Sequence, residues 1–209
     1  MTADLQELPR RERRKLEMRG RIVAAAAELF NARGVEATTV VEICERADIA
    51  KKTFFNHFPS KQHAVRELAC LAIDQLLVEI ETARKRECCA RDRLRHVFDQ
   101  VVKNTAQVGP MSRELAKECI HSLQGLGNEP RQTQRLRNAF ASIVRDGLAS
   151  GDVARRHDPE TLAEIILGSY YTLILNWVQF DGYPIDRKAR EIADFLSDAL
   201  ALAPQTGSR

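Results

Sequence analysis

Apolar positions recur every three or four residues along most of this chain, and the runs are separated by Gly, Pro, Ser, Thr or Asp. Ile22, Ala25, Ala26, Leu29 and Phe30 make one stripe, which predicts a helix from about Lys15 to Arg33. Gly34 stands where a left-handed C-terminal cap belongs. Thr39, with Glu42 three residues on, predicts a capping box opening a second helix. Its apolar side is Val40, Ile43, Cys44 and Ala47, and the pattern breaks at Asp48. Helical character resumes at Lys51 and stops before Pro59, which pushes its predecessor out of the α region. Ser60 is the expected cap of a fourth helix carrying Val65, Leu68, Ala69, Leu71, Ala72, Leu76 and Ile80 as far as about Arg84.

Five more helices follow by the same reading. They run from Asp92 to about Gln107, from Met111 to about Leu123, from Pro130 to Ser150, from Asp158-Pro159 to near Gly182, and from Pro184 to Ala203. Gly109-Pro110, Gly125 with Gly127, and Gly151 punctuate them. No run of alternating β-branched residues and no hairpin signal occurs, so the fold class is all-α. Two short helices joined by a tight turn after a longer one outline a helix-turn-helix unit.

Residues 161–180 form the most apolar window. It has the length of a membrane span, but Glu164, Asn176 and Gln179 interrupt it and no Lys or Arg brackets it closely, so it reads as a core helix and no membrane is expected. Leu162, Ile165, Ile166, Tyr170, Leu173, Ile174 and Trp177 leave it apolar nearly all round, which calls for a second partner surface. The next helix carries the stripe Ile185, Ala189, Ile192, Leu196 and Ala199. Together the two predict a homodimer with a four-helix contact, in which Ile166, Tyr170, Ile192 and Leu196 are interface residues.

Charge adds an asymmetry. The chain holds 32 Lys+Arg and 29 Asp+Glu; 12 of the basic and 9 of the acidic residues lie within the first 61, and the rest balance. An anionic partner for the N-terminal region follows. With 44% hydrophobic residues in 209, a sizeable core is available. Cys44, Cys70, Cys88, Cys89 and Cys119 are odd in number and form no C-x-x-C pair, and no apolar leader is visible. A reducing, cytoplasmic location is expected. Cys44 and Cys70 sit on apolar stripes as packing residues. Cys88-Cys89, beside the basic run at Arg84, Lys85 and Arg86, leaves a thiol-redox-responsive regulator as an alternative, although adjacent cysteines bridge only with strain. Glu118-x-x-His121 has a metal-site spacing but no second copy, so no metal or cofactor is expected. No nucleophile–base pair or phosphate loop appears, so the chain is not expected to be an enzyme. An all-helical enzyme or interaction module without sequence-specific DNA binding is the alternative of a different class.

On a helical wheel Phe54 and Phe58 point inward, while Lys52, Thr53, Asn56 and His57 project the other way. Lys reaches guanine or phosphate, Asn pairs with adenine, and Thr touches a thymine methyl, as a groove-reading helix requires. The N-terminal arginines Arg10, Arg11, Arg13 and Arg14 add salt-dependent backbone affinity.

Residues 22–68 resemble the DNA-binding domain of tetracycline-repressor-type (TetR) transcriptional regulators. The resemblance rests on an alanine-rich first helix, the G-x-x-x-T-T segment from Gly34 to Thr39, the acidic-apolar second helix, and the string TFFNHFPSK from Thr53 to Lys61. It implies that Thr39 touches phosphate and that Lys51, Lys52, Thr53, Phe55, Asn56 and His57 face the major groove or its walls. Lys61 would clamp a phosphate of a double-stranded operator. Three residues depart from the family pattern. Asp48 replaces the usual Gly of the turn, Ala50 the usual Ser or Thr cap, a loss of about 1 kcal/mol, and Phe55 the usual Tyr.

The implied organisation is a flexible basic arm over residues 1–14, a three-helix helix-turn-helix DNA-binding domain over 15–77, and a larger helical effector-binding and dimerisation domain over 78–209. The last segment mixes apolar and isolated polar residues, and Phe98, Cys119, Phe140, Tyr171 and Trp177 are candidates for a ligand pocket. The expected function is a repressor released from an inverted-repeat operator by a small apolar or amphipathic effector.

Overall fold

The computed structural model describes residues 9–107, 109–123 and 130–200. Residues 1–8 of the expected arm, the break at Gly125 and Gly127, and the extension of the last helix to Ala203 lie outside the described residues. The described residues are helical with no strand. The helices are α1 (Arg10–Arg33), α2 (Val40–Ala47), α3 (Lys51–His57), α4 (Lys61–Arg84), α5 (Ala90–Gln107), α6 (Ser112–Leu123), α7 (Pro130–Ser150), α8 (Pro159–Gln179) and α9 (Ile185–Leu200), with a 3₁₀ turn at Gly109–Met111 before α6.

Local chemistry accounts for most of the ends. Gly34 closes α1 at φ 87°, its N–H donating to the Phe30 carbonyl at 2.8 Å. The capping box at α2 forms as expected: the Thr39 hydroxyl accepts from the Glu42 N–H, and the Thr39 N–H donates to Glu42 Oε2 at 2.8 Å. Asp158 accepts from the Thr161 N–H and caps α8, with Pro159 in its first turn.

Several ends shift by one to five residues from the sequence reading, α5 for example starting at Ala90 and α8 ending at Gln179, and the starts of α1 and α4 are the informative cases. α1 starts at Arg10 rather than near Lys15, because Pro9 occupies the capping position and strong helix formers follow it. Arg10 to Arg14 are therefore helical. Ser60 sits at the start of α4 in an extended conformation, but its side chain caps no backbone N–H. Its hydroxyl instead bonds His63 Nδ1 at 2.9 Å.

Two apolar cores share one long helix. The first gathers Ile22, Ala26 and Phe30 of α1, Ile43 of α2, Phe54 and Phe58, and Val65 of α4. The second gathers Ile73, Leu76 and Ile80 of the same α4 with Leu94, Phe98, Leu136, Phe140, Ile166, Leu173 and Leu196. Here α5 packs on α9, α7 on α8, and α4 against α5, α6 and α7. With 24 residues, α4 is about 36 Å long, enough to serve both.

A second tie comes from beyond α5. Met111 is buried in the first core, and Leu115 of α6 packs against it. The approach is close: a Cβ at Gly109 would lie 3.2 Å from the Asn31 carbonyl, and Gly109 holds φ 55°.

Candidate nucleic-acid interface and effector cavity

The DNA-facing surface is built around α3. Phe54 and Phe58 are fully buried, each contributing about 1.5–3 kcal/mol, and they fix which way this short helix faces. Lys51, Lys52, Phe55 and Asn56 are exposed, while Thr53 and His57 are half-buried. Phe55 is 47% exposed and rests edge-on against Phe54 at 5.5 Å between ring centroids. His57 turns Nδ1 inward, where no partner meets it. Burial, then the charges of Arg19 and Lys15, hold its imidazole below the usual range.

The turn before α3 uses Asp48 in the left-handed region, at φ 51° and ψ 59°. Aspartate tolerates that conformation better than most residues, so it can stand in for the expected glycine. Ala50 starts α3 with no side-chain cap, as its lack of an acceptor dictates.

Thr39 is exposed at the start of α2, beside the Arg33–Glu42 ion pair at 2.8 Å. The Glu42 carboxyl is held below its usual range, first by the backbone and hydroxyl bonds from Thr39 and then by Arg33. Lys61 stands at the start of α4 beside the α1–α2 loop. Its Nζ donates to the carbonyls of Val35 at 2.6 Å and Thr38 at 2.8 Å, knitting the α1–α2 loop to α4. The sequence brackets this loop between Gly34 and Thr39 but does not show its carbonyls turned toward Lys61.

The arginines of α1 that brace this unit were not singled out by the sequence. Arg19 donates through Nε and Nη2 to both carboxylate oxygens of Glu67, at 3.0 and 2.7 Å, and through Nη1 to the His57 carbonyl at 3.1 Å. Its guanidinium stacks 4.3 Å above the Phe58 ring. Arg21 donates to the Ala47 carbonyl at 2.5 Å.

A cavity of about 250 Å³ opens between α4, α5, α6 and α8, lined by Ala72, Gln75, Leu76, Val101, Asn104, Thr105, Ser112, Leu115, Ala116, Cys119, Tyr170 and Ile174. No Lys, Arg, Asp or Glu is among its lining residues. Of the expected pocket residues only Cys119 lines it. Phe98 and Phe140 are buried in the second core, and Tyr171 and Trp177 pack against that core without lining the cavity. Small residues, Ala72 and Ala116, leave the space, which a search for aromatics misses. Burial pushes the Cys119 thiol up to about 12.

The expected dimer residues also sit differently. Ile166 and Leu196 are buried within this chain, Ile192 is half-buried against its core, and Tyr170 faces the cavity. α9 packs chiefly on α5, with Ala189 and Leu196 of its stripe buried. What remains open is another face: Ile165 at 51%, with Gly168, Thr172 and Leu175 along α8, and Phe195 of α9 at 71%. By length and hydropathy α8 could cross a membrane, yet Leu162, Ala163, Ile166, Leu167, Leu173 and Ile174 are buried against its neighbours.

Glu118 is buried and joins α6 to α4, accepting from Arg66 Nε at 2.7 Å and Gln62 Nε2 at 2.9 Å. His121 is exposed, and no group of three metal-ligating side chains occurs among the described residues.

Residues 22–68 match the family described as bacterial regulatory proteins, tetR family. Over that segment the chain is similar to the tetR family. Over 52 residues the chain is 42% identical to the HTH-type transcriptional regulator TcmR of Streptomyces glaucescens, spanning 25% of this chain and 23% of that protein. Over 88 residues it is 34% identical to the HTH-type transcriptional activator FasR of Mycolicibacterium smegmatis, spanning 42% and 38%. The chain thus aligns with less than two-fifths of either relative's length. The fold extends further. The Thermus thermophilus FadR structure, a TetR-family transcriptional repressor in complex with lauroyl-CoA, superposes with a TM-score of 0.63 at 20% identity, covering 91% of this chain and 99% of that one.

Proposed function

We propose that this tetR-family chain is a cytoplasmic, homodimeric transcriptional regulator, a repressor released from an inverted-repeat operator by a small, uncharged amphipathic ligand. The observation that carries the reading is α3 itself. Phe54 and Phe58 lock it against α1 and α4, and Lys51, Lys52, Phe55 and Asn56 stand free on its outer side. Thr39 and the arginines at the start of α1 flank it with groups suited to phosphate. Thr53 and His57, half-buried on the same helix, complete the proposed reading face, and Lys61 ties the α1–α2 loop to α4 behind it.

The exposed face of Ile165, Leu175 and Phe195 supports a second copy as the partner, with small Gly168 allowing close approach of the helices. The cavity supports the effector. Its apolar wall with Asn104, Thr105, Ser112 and Gln75 suits a largely apolar molecule oriented by a few hydrogen bonds, and its lack of ionisable lysines, arginines and carboxylates disfavours a charged one. The Cys119 thiol, held at about 12, carries almost no thiolate at neutral pH, so it adds no charge to the cavity wall.

The test is selection of bound duplexes from a random pool by the full chain, followed by salt-dependent binding. An inverted repeat, lost on Lys52→Ala or Asn56→Ala, supports the reading. Enrichment of no sequence overturns it. Sedimentation of Phe195→Asp as a monomer supports the assigned dimer face; a dimer unaffected by that change removes it. Ala116→Phe fills the cavity and should abolish release by any ligand that releases the parent.

A further inference from the structure

Two arginines of α1, Arg19 and Arg21, stand about 200° apart around the helix and therefore reach to opposite sides. Arg21 takes the end of α2, donating to the Ala47 carbonyl. Arg19 takes the end of α3. Its fork is filled on three sides: both oxygens of Glu67 on α4, the His57 carbonyl on α3, and the Phe58 ring below.

We infer that Arg19 is a positioning residue for α3, setting the angle at which that helix is presented to DNA. The inference rests on the proposed DNA-binding function. α3 has only 7 residues, no side-chain cap at its start, and few backbone bonds of its own to resist tilting. Phe54 and Phe58 hold its inner side, but apolar contacts are tolerant of small rotations. The bond from Arg19 to the last carbonyl of the helix is directional, and the same guanidinium is fixed bidentately to α4. Lysine cannot reproduce this set, because its ammonium has neither the planar fork nor the stacking face.

The test compares the full chain with Arg19→Lys, which keeps the charge. Binding is measured to a duplex selected by the wild-type protein and to a random duplex of equal length, well below the melting midpoint of each protein. Loss of positioning lowers operator affinity about tenfold while random-duplex affinity stays within about twofold and the salt slope is unchanged. A merely structural loss reduces the active fraction and lowers both affinities alike. Glu67→Gln, which keeps the stack and the His57 bond, should give a smaller loss in the same ratio. Equal operator affinity in Arg19→Lys, or a parallel fall on both duplexes, overturns the inference. If the wild-type protein selects no sequence, it is the DNA-binding reading that fails.

Discussion

Arg66 meets Glu118 at 2.7 Å, and the pairing is lopsided: the guanidinium is largely exposed while the carboxylate is 6% exposed. Taking away the arginine strands a buried charge, with Gln62 as its remaining partner. Arg66→Met should therefore cost about 1–3 kcal/mol, and Glu118→Gln distinctly less, because the amide is neutral and fits the same space. Urea midpoints of the two variants and their double mutant measure this. Equal midpoints for Arg66→Met and wild type would show that the pair contributes nothing.

Asp48 brings a negative charge to the turn that leads into α3, in a left-handed conformation that asparagine also accepts. Asp48→Asn should leave stability within about 0.5 kcal/mol. Its DNA affinity should rise severalfold on operator and random duplexes alike, since the change removes repulsion without touching base readout. Filter binding at two salt concentrations tests it; a drop in affinity would place Asp48 in a favourable contact.

His57 gives a pH dependence whose sign is fixed. Its folded imidazole titrates below the usual range, chiefly from burial, so the unfolded chain binds the proton first on acidification. The stabilising contribution is complete above the ordinary histidine range and is lost as pH falls through and below it. Stability should decline from about pH 7 toward pH 5, and His57→Gln should flatten part of that decline. Melting midpoints across this window decide the matter, and an unchanged slope in the variant would sink it.

Gly147 is packed for want of a side chain. A Cβ there would lie 2.5 Å from Val153 Cγ2 and 2.9 Å from Ala90 Cβ, where α7, α5 and the segment after α7 meet. Gly147→Ala, normally favourable in a helix, should here cost about 1–3 kcal/mol. Thermal unfolding reads this directly, and a stabilised variant would mean that the neighbours yield freely.

Much of this was legible in the chain. The capping box at Thr39, the glycine at position 34, the proline stops and the inward Phe54 and Phe58 all rest on interactions within a few residues, which sequence reports. What it did not report lies between distant segments. Lys61 donates to carbonyls of a loop more than twenty residues away, a tie that its position in the sequence does not reveal. Periodicity marked Phe98, Phe140, Ile166 and Leu196 as apolar, but it cannot say whether an apolar face meets the chain's own core, a cavity or a partner. The cavity depended on where side chains are small, and the open face on Phe195, a residue off the α9 stripe. Nothing in the sequence marks Arg19; only the fold brings Glu67, His57 and Phe58 around it.

Met111 has a consequence for how such a chain can be cut and rejoined. It is buried among the residues of the first core, although nearly fifty positions separate it from Val65 of that core. A graft that moves residues 10–84 onto another scaffold would leave a methionine-sized hole in the transplanted head. The transferable piece is a discontinuous one, α1 to α4 together with residues 109–115. A recombination event that respects only the linear order would tend to produce heads that are folded but loose.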